Sequence, residues 1–316
     1  MPSQEVNGKA FEYACIKSLY EKLSTQTEVQ VLEDVNFYNT KSAFEQLSEE
    51  EQKDNIAAAF RGIEIITPLE PNLEHPDVKE PLILSIQPDK KGQEGDVRDV
   101  LCVRNEKGWN IGFSCKNNHD AVKHSRLSRT IDFGKDWLGY PVSKNYKIMI
   151  NPLFDKLDEL KNKKVRWDEV DNKNEYFYTP LLKAFLSELE ALNLSHPDVP
   201  EKLLNYLLGR NDFYKIIKHT DDRITEVKAF NIYGTLGLST KVQKEMCKIS
   251  RLKMPTEILK MDFKKNSSTT IQIVCDNGWA LSLRIHNASK WVEPSLKFDI
   301  QLIGVPNNMG SVIEAW

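Results

Sequence analysis

The sequence predicts an α/β fold with a helical middle region and a C-terminal β-rich segment. Three observations predict it. Apolar residues recur at helical spacing near the N-terminus. Two alternating apolar runs flank Gly108 and read as paired strands. The last fifty residues alternate like strands around the turn signal Asp276-Asn277-Gly278.

In chain order, residues 8–24, GKAFEYACIKSLYEKLS, place Phe11, Ala14, Cys15, Leu19 and Leu23 on one helical stripe. Residues 40–60 predict a second helix, with Asn39 and Thr40 as caps. A proline-rich connection follows through Pro68, Pro71, Pro76 and Pro81, with IEIIT and LILSI as extended pieces. GQEG is a turn. DVLCVR and NIGFSCK are strands joined by NEKGW, and they read as an antiparallel hairpin. Residues 118–126 predict a helix, 141–161 a loop leading into a helix, and 176–250 a mostly helical region. TTIQIVCDNGWALSLRIHNAS and KFDIQLIGVP supply the final strands. The chain divides on this reading at 1–165, 166–262 and 263–316.

The 316 residues are 40% hydrophobic and 28% charged, which suits one large globular domain or two modest ones. Six Trp and thirteen Phe allow a sizeable core. No apolar run approaches the roughly 18 residues of a membrane span. MPSQEVNGKAFEYA has no basic end followed by an apolar stretch, so no secretory signal is expected. Five cysteines without a CxxC spacing predict reduced thiols in a cytoplasm and no structural zinc. The net charge of −3 argues against a protein coated in basic residues, but one basic face remains open. Residues 116–129 hold Lys116, Lys123, Arg126 and Arg129 against Asp120. The basic run at 156–166 reads as a solvated helix face.

The chemistry starts at Asp99 and Lys116. Strand side chains alternate between faces. Asp99, Leu101 and Val103 share one face, as do Ser114 and Lys116, and a hairpin can bring Asp99 beside Lys116. An ordinary cross-strand ion pair would need nothing more. Phosphodiester hydrolysis uses the same grouping: a carboxylate holds a hard cation such as magnesium, and a lysine orients water or stabilises charge at phosphorus. One Asp is too few oxygens. Asp96 falls on the opposite face by strand parity, unless GD belongs to the turn. Carbonyls near Cys115 can contribute, as can Glu12 if the first helix packs on this sheet.

GDVRDVL, IGFSCKNNHDAVKHSRLS and SLRIHNASKWVEPSLKFDIQLIG, together with NGKAFEYA, resemble the HaeIII family of type II restriction endonucleases, within the PD-(D/E)XK nuclease superfamily. The resemblance implies a restriction-endonuclease-like core, a mixed β-sheet flanked by helices, over residues 1–165. It implies a magnesium-dependent endonuclease cutting both strands of a short palindrome, GGCC for this family. Asp99 then looks like the metal-binding acid, Lys116 like the catalytic lysine, and Glu12 like the helix glutamate that completes the metal site. The middle acid of the superfamily triplet falls at Ser114, which is a poor magnesium ligand. Asp96, Glu12 and Asp120 are the candidates for the missing carboxylate. The implied partners are double-stranded DNA, a second copy of the chain on DNA, and a protective DNA methyltransferase, in a bacterial cytoplasm and away from membranes.

On the predicted helix 118–126, His119, Lys123 and Arg126 fall at i, i+4 and i+7, with His124 at the patch edge. Such a face meets phosphates. An HNH-type histidine site is set aside because no metal-binding histidine pattern follows. Base reading is expected from SLRIHNASKW: Ser282, Arg284 and His286 on one strand face, with Asn287 and Lys290 beside them. Arg126 and Arg129 are second-line readers, and Trp279 and Trp291 are expected in the core. Residues 166–262 are read as scaffold, recognition support or dimer interface, and 263–316 as DNA recognition. Two rival readings remain: a DNA-binding protein impaired in catalysis, favoured by Ser114, and a non-specific repair-type nuclease of the same superfamily.

Overall fold

A computed structural model describes residues 3–75, 79–93, 95–118, 120–123, 125–237 and 249–316. His119 and His124, two of the expected DNA contacts, lie outside the described residues. In chain order the elements begin with α1 (Gln4–Leu23), β1 (Val29–Val31), α2 (Val35–Glu45), α3 (Glu49–Ile66), β2 (Leu82–Ile86), α4 (Lys90–Gln93), β3 (Val100–Arg104) and β4 (Trp109–Asn117). They continue through β5 (Ala121–Lys123), β6 (Arg126–Ser128), α5 (Lys144–Asn162), α6 (Thr179–Ser195), α7 (Val199–Leu208), β7 (Phe213–His219) and β8 (Ile224–Phe230). The last are β9 (Ile258–Phe263), β10 (Thr270–Cys275), β11 (Ala280–Asn287), β12 (Ser295–Gly304) and β13 (Gly310–Ala315). The chain forms two compact units, each discontinuous in sequence: Met1–Asp120 with Gly209–Leu252 and Asn308–Trp316, and Ala121–Leu208 with Lys253–Asn307.

The first unit is a mixed sheet of order β1-β2-β3-β4-β7-β8-β13, with β1–β2 and β4–β7 parallel and the other neighbours antiparallel. The helix α1 starts at Ser3, whose hydroxyl accepts from Val6 N at 3.3 Å, and it buries the expected stripe of Phe11, Ala14, Cys15, Leu19 and Leu23. The helix expected over 40–60 is two helices. Ser48 and Glu51 form a reciprocal capping box that begins α3, while Asp34 caps α2. Asn39 and Thr40 are inside α2, where Thr40 donates to the Phe37 carbonyl at 2.8 Å. IEIIT is the end of α3 and not extended. Ala59, Ile63 and Ile66 recur at helical spacing and are all buried, which overrides the β-propensity of the run.

LILSI is β2, and the β3–β4 hairpin forms as expected, with Gly108 at φ +61° in its turn. Residues 213–230 overturn the expectation of a mostly helical 176–250. They form β7 and β8. In β7 every residue from Phe213 to Lys218 is buried, so no alternation marks it as a strand. The four cysteines among the described residues are free thiols. Among the described residues no helix is long and apolar enough to cross a membrane.

The second unit holds α5, α6 and α7 and a sheet of order β5-β12-β11-β10-β9, to which β6 adds by pairing with β12. The β10–β11 connection is the expected turn, with Asn277 at φ +54° and Gly278 at φ +88°. Trp279 is fully buried and donates from Nε1 to the Lys253 carbonyl at 2.9 Å. Trp291, expected in the core, is 45% exposed. The basic segment after Lys116 is not a helix. Ala121–Lys123 and Arg126–Ser128 are two three-residue strands on β12. Lys123 pairs with Ile300, whose side chain is core, whereas Arg126 pairs with Lys297. Lys123 and Arg126 therefore lie on two separate strands and share no helical face.

Candidate active site

Asp99 directly precedes β3, and the register Val100↔Phe113 sets it opposite Ser114. Its Oδ2 accepts from Cys115 N at 2.7 Å, from Lys116 Nζ at 3.0 Å and from Ser114 Oγ at 3.4 Å. The alternation predicted from sequence thus brings Asp99, Ser114 and Lys116 together. Burial opposes the charge on Lys116, but the Asp99 carboxylate, their hydrogen bond and Glu12 outweigh it and hold the ammonium above its ordinary value.

Glu12 joins them because α1 packs on β4 through the buried stripe that includes Phe11 and Cys15. Its carboxyl is pushed from 4.5 up to about 8, first by burial and then by the like charge of Asp99, with Lys116 pulling the other way. The charges of Asp99 and Lys116 thus both act on the Glu12 carboxyl.

The other two acids expected near the metal are held by cations. Asp96 forms a bidentate pair with the buried Arg98, Nε to Oδ1 at 2.8 Å and Nη2 to Oδ2 at 2.7 Å. Burial raises the Asp96 carboxyl, but its bonds from Arg98 and Gln87 bring it below the usual range. Asp120 accepts from Lys228 Nζ at 2.8 Å and pairs with Lys215, which also donates to the Asp120 carbonyl at 2.9 Å. Lys215 and Lys228 face each other on β7 and β8, and Lys215 is the β7 neighbour of Ser114. Sequence reasoning missed these lysines. Lys215 is 1% exposed inside a run that carries no strand signal.

In the second unit, Ser282, Arg284 and His286 share the outer face of β11, while Leu281, Leu283 and Ile285 face the core. Arg284 is 59% exposed and lies 3.6 Å from Asp299. His286 Nδ1 donates to the Asn287 carbonyl at 2.9 Å. Asn287 accepts from Tyr178 OH at 3.2 Å and donates to the Ser289 carbonyl at 2.7 Å. Lys290 lies over the Trp291 ring at 5.8 Å. Arg129 pairs with Asp155 and Asp158 at 2.6 and 3.2 Å, and Lys123 sits 3.7 Å from the Tyr206 ring centroid.

An acid and a lysine closed across one hairpin, with a helix glutamate against them on a mixed sheet, is chemistry suited to a phosphodiester. It places the chain among the restriction-endonuclease-like nucleases. Comparison with known proteins narrows the class. The HaeIII restriction endonuclease family matches residues 8–306. The chain is 42% identical over 311 residues to the type II restriction enzyme HaeIII of Haemophilus aegyptius, covering 98% of this chain and 97% of that protein. The chain belongs to the HaeIII restriction endonuclease family. No solved structure matches it.

Proposed function

We propose that the protein is a magnesium-dependent type II restriction endonuclease that cuts both strands of a short palindrome, GGCC, and leaves 5′-phosphate and 3′-hydroxyl ends. The observation that carries the reading is the convergence of Glu12 on Asp99 and Lys116.

The donor set fits magnesium. This ion takes one or two carboxylates and completes its shell with water and substrate phosphate. Asp99 and Glu12 supply two, and Glu12 replaces the acid missing at Ser114. A carboxyl kept protonated by burial and by the charge of Asp99 is one that a cation would ionise. Among the described residues no third His, Cys, Asp or Glu completes a larger cluster. Asp96 and Asp120, each neutralised by its own cations, are assigned to structure. When bound, magnesium supplies Lewis acidity at the scissile phosphate. Lys116 donates to the attacking water and to the oxygens that gain charge at phosphorus. Ser114 and Cys115 N fix the Asp99 carboxylate from behind.

The outer face of β11, with Ser282, Arg284 and His286, is assigned to DNA. Two copies acting on the two halves of the palindrome match its symmetry. A protective methyltransferase in the same bacterial cytoplasm accompanies this activity. Purified protein incubated with DNA carrying one GGCC site, in magnesium and in EDTA, tests the reading. Magnesium-dependent cutting at that site supports it. Binding without cutting favours the impaired DNA-binding protein, and cutting without a fixed site favours the repair-type nuclease.

A further inference from the structure

The outer face of the second unit's sheet sets two like charges and a histidine side by side: Arg126 and His286 are expected DNA contacts, and Lys297 stands between them. Strand register sets Arg126, Lys297 and His286 side by side across β6, β12 and β11. Directly opposed residues of antiparallel strands share a face, and the like charges of Arg126 and Lys297 placed there repel. The reverse face is fully apolar in this stretch, with Leu127, Leu296, Phe298, Ile285 and Ile300 buried. One row along, Arg284 stands opposite Asp299, whose carboxylate lies 3.6 Å from Arg284 and also acts on Lys297 and His286. Arg126 is exposed and donates sideways from Nη1 to Ser295 Oγ at 3.2 Å, a neutral partner that leaves its charge uncompensated by that contact.

The electrostatics agree with the geometry. Burial and then Arg126 push the Lys297 ammonium below its ordinary value, outweighing the opposite pull of Asp299. Burial, with Arg284 and Lys297 adding to it, holds the His286 imidazole below its ordinary value, against the bond to Asn287 and the charge of Asp299. A free sheet gains nothing from such a row. A polyanion lying along it would relieve the repulsion.

We propose that Lys297, flanked in register by Arg126 and His286, is a phosphate-contacting residue that positions duplex DNA on this face without reading sequence. The proposal rests on the DNA-cleaving reading above, because only a polyanionic substrate gives the row a ligand. Phosphate contacts fix register and orientation, while bases are read elsewhere.

The test is fluorescence anisotropy with the full chain in EDTA, across a salt series. The probes are a labelled duplex containing GGCC and a duplex of equal length lacking it. Lys297→Gln should weaken binding to both by the same factor and reduce the slope of log affinity against log salt by roughly one. Lys297→Arg should restore both. The free Lys297→Gln protein should melt no lower than wild type, since it has lost a repulsion. Unchanged affinity and slope in Lys297→Gln would overturn the proposal, as would a loss confined to the GGCC duplex. A lower melting temperature of that variant would overturn the like-charge argument. Wild type that binds neither duplex would instead remove the parent reading.

Discussion

Lys116 Nζ lies 3.0 Å from Asp99 Oδ2 across the β3–β4 hairpin. With the two side chains 26% and 23% exposed, the pair alone would add little to stability. What separates it from an ordinary cross-strand pair is Glu12, a buried acid within electrostatic reach of a carboxylate that already accepts from Cys115 N and Ser114. That arrangement costs stability in the free protein, and the proposed function gives it a use as a cation site.

Lys116→Ala should lose cleavage by roughly a hundredfold or more and still bind its site. Single-turnover cleavage beside a gel shift on one GGCC duplex measures both. Cleavage near the wild-type rate would remove Lys116 from the chemistry.

Glu12 predicts a pH dependence with a definite sign. An acid whose folded pKa lies above its unfolded one binds more protons when folded. Its stabilising share is complete below its ordinary 4.5 and is lost as pH rises through about 8. Magnesium should offset that loss by favouring the carboxylate. Thermal melts in EDTA and in magnesium across this window should show wild type losing more stability with rising pH than Glu12→Gln, and gaining more from magnesium. Equal magnesium stabilisation in both proteins would take Glu12 out of the metal site.

Asp96 should behave as a structural acid. Asp96→Ala leaves the buried Arg98 without its bidentate partner and should cost roughly 2–4 kcal/mol. A lowered urea midpoint, with an unaltered magnesium requirement per folded molecule, is the expected result. A raised magnesium requirement at unchanged stability would make Asp96 a ligand.

Arg284→Ala should cost on the order of 1–3 kcal/mol of discrimination between GGCC and single-base variants, if Arg284 reads guanine. Competition binding against a set of variant duplexes measures it. A uniform loss across all sequences would make Arg284 a phosphate contact.

The β3–β4 hairpin was legible because alternation and a glycine turn coincide, and the same logic found β10, β11 and β12. The Asp99–Lys116 contact followed from parity alone. Glu12 needed the packing of α1 on the sheet, which periodicity implies but does not aim. The short strands β5 and β6 were illegible: three residues carry no period, and their partner β12 lies about 170 residues away in the chain. The strand β7 was hidden because burial on both faces erases alternation, and with it went Lys215. Lys297 could have been found, since Lys297, Asp299 and Gln301 alternate with the core residues Phe298 and Ile300.

The measurement that bears most directly on the central claim is a digest of unmethylated phage DNA with purified protein, in magnesium and in EDTA, with the fragment ends sequenced. Discrete fragments are expected in magnesium only, all ending within GGCC and carrying 5′-phosphates. Intact DNA in magnesium, with the protein still shifting a GGCC duplex on a gel, would contradict that claim and make the Asp99–Lys116–Glu12 cluster the relic of a nuclease in a protein that only binds.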